Sequence, residues 1–349
     1  MAGFFRASLA PLAVCALSVL LGAGAAELGA SGLLRPGQAS AARRRGAMPE
    51  ALTPLGSEPR TKLAVTRTLE PIPEVREAEP DAWAEHDPSG SAWAEGRIIH
   101  GATPHRLLLF TFDDGPNRRT TPKLLDTLDA AGIKAVFFVN TYRVAGRGQR
   151  VAEQAEVLRD IAARGHLIGN HTVNHEQLPL LETEDAREEI LEAEHAIARI
   201  LGTRPWLFRP PGGARSARID ALLAERGYTQ VLWNLGSGDF QVRTPEEVVD
   251  TWLRVLERRE RENGERGGIV LLHDTYEWSV EAVPMLLDAI AQKNCALLRA
   301  GEELYDIVDD PALFFAARGD AGPSAEAAPA DPPAAVIEAR QAELREQLT

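Results

Sequence analysis

The stretch RLLLFTFDDGPNRRT, residues 106 to 120, ends an apolar run in two adjacent aspartates, Asp113 and Asp114, followed at once by Gly115 and Pro116. Two anions held this close repel unless a cation lies between them or one keeps its proton. Adjacent side chains on a strand point to opposite faces, so the two carboxylates are expected to leave it in different directions. Turn formation before Gly-Pro explains one aspartate and not two. In NHTVNH, His171 and His175 are four residues apart, which sets both rings on one side of a helical turn or tight loop. By itself that spacing also suits two surface histidines. With an aspartate on the same rim, two neutral imidazoles and one carboxylate make a three-ligand metal site that leaves room for water, the hydrolytic arrangement. Arg209, in RPPGG, is either a surface arginine at a rigid corner or a buried cation that keeps a carboxylate ionised. His273, after GIVLL, is either a satisfied core histidine or a general acid.

Each of these clusters follows a short apolar run. LLLFTF, KAVFFV, HLIG, PWLF, TQVLW, GIVLL and CALL read as seven strands. Helical patterns separate them, the first starting with Thr121 as cap and Pro122 at its first position and stopping at Gly132. Further helices are predicted around 151–164, 183–201, 217–226, 245–262 and 279–292. Strands alternating with helices predict an α/β fold with a parallel sheet, either closed as a barrel or open. Asp113 and Asp114 follow the first strand, NHTVNH the third, RPPGG the fourth, SGDF (237–240) the fifth, and His273 and Asp274 the sixth. The C-terminal ends of parallel strands share one face, where such folds build their active sites.

At 349 residues and 44% apolar content the chain is long enough for one large domain with appendages. A net charge of −13 argues against a nucleic-acid partner. Residues 1–26 carry Arg6, then an uncharged apolar run and small residues, the layout of an export signal or of an uncleaved membrane anchor. Either places the body outside the cytoplasm, in the periplasm, the cell envelope or the extracellular space. Residues 27–100 read as a low-order linker in which AWAE occurs twice, and 313–349 as a low-complexity tail ending in one short helix. Removing the leading segment takes Cys15 with it, so Cys295 is expected to stand alone as a buried packing residue with no intrachain disulfide. His86, His100, His105, His166 and His195 have no constellation around them.

TFDDGP, HTVNH, RPPGG, SGDF and LLHD, in this order and spacing, resemble the polysaccharide deacetylase family, the fourth family of carbohydrate esterases. The resemblance spans roughly 105 to 307, and places a catalytic domain at 101–312. It implies a distorted (β/α)7 barrel, a divalent metal (zinc first, other divalent ions also accepted), and removal of N-acetyl groups from an acetylated glycan. Carried onto this sequence, it implies Asp113 as catalytic base, with Asp114, His171 and His175 as metal ligands. It implies Arg209 as the partner that orients Asp113, Asp239 as tuner of the charge network, and His273 as general acid. It also implies that Leu271 lines a pocket for the acetyl methyl and that the Gly212 N–H supports the oxyanion. The family usually has Tyr where Gly212 stands, and D-S-x-D-W where this chain reads Gly236-Ser237-Gly238-Asp239-Phe240. These departures leave the hydrolytic groups whole and bear on the substrate. Two other readings stand beside it: a deacylase for another acyl group or a lipid-linked sugar, and a non-catalytic glycan-binding envelope protein.

Overall fold

The computed structural model describes residues 97–315, 326–327 and 332–348. The expected leading segment, and the linker as far as residue 96, lie outside the described residues. In chain order the strands are β1 (Ile98–Ile99), β2 (Leu107–Asp113), β3 (Val136–Val139), β4 (Leu167–Asn170) and β5 (Leu207–Phe208). They continue as β6 (Thr229–Val231), β7 (Leu235–Gly236), β8 (Gly268–His273), β9 (Asp306–Ile307) and β10 (Glu326–Ala327). The helices are α1 (Thr121–Ala131), α2 (Gln149–Ala163), α3 (Thr183–Leu201), α4 (Ala217–Glu225), α5 (Pro245–Asn263), α6 (Glu277–Ala300) and α7 (Ala334–Leu348).

All strands pair in parallel in the order β10-β1-β6-β5-β4-β3-β2-β8-β7, with β9 also on β2, and helices pack around the sheet as a distorted (β/α) barrel. The seam where the chain after β1 meets the start of β8 is closed by the Asn234 side chain and one backbone bridge. Asn234 accepts from the Ile269 N–H and donates to the Gly267 carbonyl, and Thr103 bridges Gly267. Gly101 has no side chain there because a Cβ would fall 2.3 Å from Asn234 Oδ1.

Period-two alternation decides what reaches the barrel interior. Leu107 and Leu109 of β2, Phe138 of β3, Leu207 of β5 and Ile269 of β8 fill one cluster inside the barrel. Leu108, Phe110, Phe112, Phe137, Val270 and Leu272 face outward against the helices. Continuing the inward set toward the strand ends gives Thr111 and Asp113 on β2, and Leu271 and His273 on β8. Thr111 pairs in register with Leu271, and Asp113 with His273. The same count carries His171 inward after β4 and Arg209 inward after β5. Asn170 points outward and bonds to the Ile190 carbonyl of α3.

The opposite end of the barrel is plugged. Phe315 packs edge-on against Trp206, the residue before β5, and Phe314 and Ile337 join the inner cluster. α7 is fastened there by Arg340, which donates to Asp306 and Asp309, and by Gln341, which bonds both backbone groups of Leu304.

Three local expectations are corrected. CALL is the end of the helix α6, not a strand, and the last strand of the domain is Asp306–Ile307. An Ala- and Leu-rich run after eighteen helical residues extends the helix, and Gly301 in the left-handed region stops it. The cap of α1 is Thr120, not Thr121, whose hydroxyl instead bonds the Asp274 carboxylate. Cys295 is buried as expected but disulfide-bonded, not a lone thiol.

Candidate active site

Asp113 is the last residue of β2, and its carboxylate sits under the rim with 3% exposure. Asp114 then adopts a left-handed backbone, φ 71°. The turn folds its side chain back, so the two carboxylates converge on one imidazole instead of diverging. Asp113 Oδ2 lies 3.7 Å and Asp114 Oδ1 3.6 Å from His171 Nε2. Alternation along an ideal strand therefore fails at Asp114, where the chain has already left the sheet.

Asp114 Oδ1 is also 3.5 Å from His175 Nε2. The ligand atoms of Asp114, His171 and His175 lie within 4.8 Å of one another. Two donors on one tetrahedral zinc at bonds of about 2.0–2.1 Å would be roughly 3.4 Å apart, which these spacings match. Asp114 Oδ1 is buried without a hydrogen-bond partner, so a cation there would satisfy an otherwise orphaned anion. His171 Nδ1 sits 2.6 Å from the Arg209 carbonyl, which accepts from it and leaves Nε2 as the free lone pair. Burial holds the His171 ring neutral, down to about 3, the form a metal needs. The donor set fits a divalent metal.

The loop carrying both histidines is bent by two non-glycine residues in the left-handed region, Thr172 (φ 69°) and His175 (φ 60°). Polar groups hold it there. The Thr172 N–H donates to Asn170 Oδ1, and the His175 N–H to the Thr172 hydroxyl. Glu189 of α3 accepts from the Val173 and Asn174 N–H groups at 3.1 and 2.9 Å and from the Asn174 amide at 2.6 Å. Asn140, after β3, donates to the His171 carbonyl.

Arg209 is fully buried. It donates to Asp113 Oδ1 at 2.7 Å, the Thr111 hydroxyl at 2.8 Å and the Val231 carbonyl at 2.9 Å, and its guanidinium lies over the Phe138 ring. Burial pushes the Asp113 carboxyl up, opposed by the charge and hydrogen bond of Arg209. Oδ1 is committed to the guanidinium, and Oδ2 faces His171.

His273 ends β8. Its Nδ1 is 2.8 Å from Asp239 Oδ1, and its backbone N–H donates to Asp239 Oδ2 at 2.7 Å. Burial would lower this histidine, but the bond and charge of Asp239 prevail and push it up to about 9. Asp239 is itself fully buried, accepts from the Ser279 hydroxyl at 2.6 Å, and gives its carbonyl to the Trp278 indole at 2.7 Å. Nε2 of His273 lies 4.0 Å from Asp114 Oδ2, so this nitrogen faces the cluster of Asp114, His171 and His175.

Leu271 faces inward two residues before His273 and is 6% exposed. Gly212, in a short 3₁₀ turn at Pro211–Gly213, has φ 62°, and only Gln177 Nε2, 3.8 Å away, would meet a Cβ there. Asp113, Asp114, His171, His175, Arg209, Asp239 and His273 thus come together at one end of the barrel. The supporting groups Thr111, Asn140, Glu189, Trp278 and Ser279 carried no signal in the sequence, because each acts through a fold contact rather than a motif. His105 pairs with Glu303 and His166 accepts from the Ala135 N–H, both away from the rim.

The family described as polysaccharide deacetylase matches residues 100–231. The chain is 31% identical over 216 residues to a chitin deacetylase of Arthroderma benhamiae, covering 60% of this chain and 55% of that one. It is 30% identical over 197 residues to the peptidoglycan-N-acetylmuramic acid deacetylase PdaC of Bacillus subtilis, covering 56% and 38%. With a chitin deacetylase of Colletotrichum lindemuthianum it shares 31% identity over 212 residues, covering 60% and 84%. It therefore spans only part of the first two relatives.

Proposed function

We propose that this chain, which belongs to the polysaccharide deacetylase family, hydrolyses N-acetyl groups of amino sugars in a cell-envelope or extracellular glycan. The observation that carries the reading is the spacing of Asp114 Oδ1 to both histidines, 3.6 and 3.5 Å, with the Arg209-held Asp113 beside them. Asp114, His171 and His175 would hold a divalent ion, zinc by donor type. When bound, such an ion supplies Lewis-acid polarisation of the acetyl carbonyl and lowers the pKa of a water.

The chain's own groups do the proton work. Asp113 Oδ2 takes the proton of the attacking water while Arg209 keeps Oδ1 occupied and the base oriented. The Gly212 N–H supports the oxyanion, and Leu271 receives the acetyl methyl. His273, fixed through Nδ1 by Asp239, gives its Nε2 proton to the departing nitrogen. The C–N bond breaks, the new C–O bond completes acetate, and a free amino sugar leaves. Export through residues 1–26, cleaved or retained as an anchor, would bring this domain of about 101–312 to such a substrate.

The test is acetate release from acetylated chitooligosaccharide and peptidoglycan with zinc supplied. Asp113→Asn and His171→Ala are each expected to lower the rate by at least about 100-fold. Unchanged release in both variants would overturn the assignment.

A further inference from the structure

We propose that Tyr276 is a substrate-contacting residue: its ring forms the wall that receives the pyranose ring of the amino sugar on the His273 side of the cleft. The inference rests on the deacetylase reading, because that reading fixes what stands next to His273. The nitrogen protonated by Nε2 is bonded directly to the sugar ring, so the ring lies beside the imidazole. The Tyr276 ring centre is 5.5 Å from that of His273, tilted by 51°, and the residue is half-buried at the rim. Its ring stacks on Trp278 at 5.0 Å and 7°.

Trp278 is itself immobilised, by its bond to the Asp239 carbonyl at 2.7 Å and by the Arg243 guanidinium 5.1 Å over its ring. Asp239 therefore holds two things at once. Its carboxylate orients His273, and its carbonyl orients the indole that backs Tyr276. Acid and wall share one anchor, so a sugar seated on Tyr276 has its nitrogen in register with Nε2. A wall built this way is ordered before substrate arrives, and little conformational entropy is lost on binding.

Across the cleft the Trp233 ring lies against Gly213, where a Cβ would fall 3.1 Å from its Cη2, and close to the Arg209 guanidinium, 5.4 Å away. At Gly212 a Cβ would find only Gln177 Nε2 within 4 Å. Phe240, half exposed and 6.1 Å from His273 edge to face, forms the outer lip of the same wall. The space at Gly212 suits an apolar sugar face packed at Tyr276 with ring substituents directed toward that gap.

The test compares wild type, Tyr276→Phe and Tyr276→Ala on triacetylchitotriose and on 4-nitrophenyl acetate, an acetyl ester without a sugar. Loss of the ring is expected to raise KM for the trisaccharide by about 10-fold, with kcat changed by less than about threefold. Tyr276→Phe is expected within about twofold of wild type, and the ester rate to be unaffected in both variants. An unchanged KM in Tyr276→Ala, or an equal loss on both substrates, overturns the proposal; equal loss would mean that Tyr276 only props His273. Calorimetric binding of triacetylchitotriose reads the wall without turnover, and there too about a 10-fold weakening is expected. If wild type binds the trisaccharide but releases no acetate from any glycan, the deacetylase reading fails while the wall is still judged by binding. If wild type does not bind it at all, the wall is overturned. Should Tyr276→Ala fail to fold, Tyr276→Leu keeps the bulk without the aromatic face, and unchanged binding in that variant overturns the proposal.

Discussion

Glu189 touches none of the reacting groups, yet its removal is expected to loosen the metal triad. It accepts from the Val173 and Asn174 N–H groups and the Asn174 amide, between His171 and His175. The loop it clamps contains two non-glycine residues in the left-handed region, Thr172 and His175. Each such residue costs on the order of 1–3 kcal/mol and persists only where surrounding contacts over-determine it. Hydrogen bonds to a charged acceptor contribute about 1.5–3 kcal/mol each, and water recovers part of that at a half-buried site. A net loss of roughly 1.5–3 kcal/mol on Glu189→Ala corresponds to about a 10- to 150-fold weaker hold on a divalent ion. Zinc affinity is read by competition with a chromophoric chelator at fixed pH, with thermal unfolding as a control on the fold. Glu189→Gln, which retains an acceptor, is expected to fall between wild type and Glu189→Ala. Zinc affinity within about twofold of wild type in Glu189→Ala would refute the reasoning that backbone clamping sets the ligand geometry.

Asp239→Asn keeps the shape but removes the charge that holds His273; kcat is expected to fall by about 10²- to 10⁴-fold, read as acetate release at saturating substrate. His166 is buried, and burial pushes it down to about 4 from 6.5. The unfolded chain then binds the extra proton, so the contribution is fully present above pH 6.5 and is lost as pH falls from 6.5 toward 4. Urea unfolding is expected to lose up to roughly 3 kcal/mol across that window in wild type, and less in His166→Gln. Arg340→Ala releases α7 from Asp306 and Asp309; melting is expected to show about 1–3 kcal/mol of lost stability with acetate release unchanged.

Much of the site is legible in the sequence because strand alternation is a short-range rule. Once LLLFTF and GIVLL are taken as buried strands, Asp113 and His273 fall on the inward face two residues beyond Thr111 and Leu271. The glycine stop at Gly132 likewise sits in the left-handed conformation that ends a helix. Where a residue's role depends on chain reversal or distant partners, the sequence is silent. Asp114 turns back on the triad through its own backbone, and Glu189 is one acid among several on α3. CALL satisfies helix and strand patterns equally, and only its continuity with α6 decides. TQVLW breaks after Val231 because Asn234 is needed at the barrel seam, which leaves β7 as a separate two-residue strand.

The central claim is that Asp114, His171 and His175 hold the ion that makes this rim a glycan deacetylase. It is tested most directly by measuring acetate release from triacetylchitotriose before chelation, after exhaustive chelation and after zinc is returned. The expected result is one free amine per acetate, loss of activity on chelation, and recovery with zinc in wild type but not in His171→Ala. Acetate release that survives chelation undiminished, or recovers equally in His171→Ala, would contradict it.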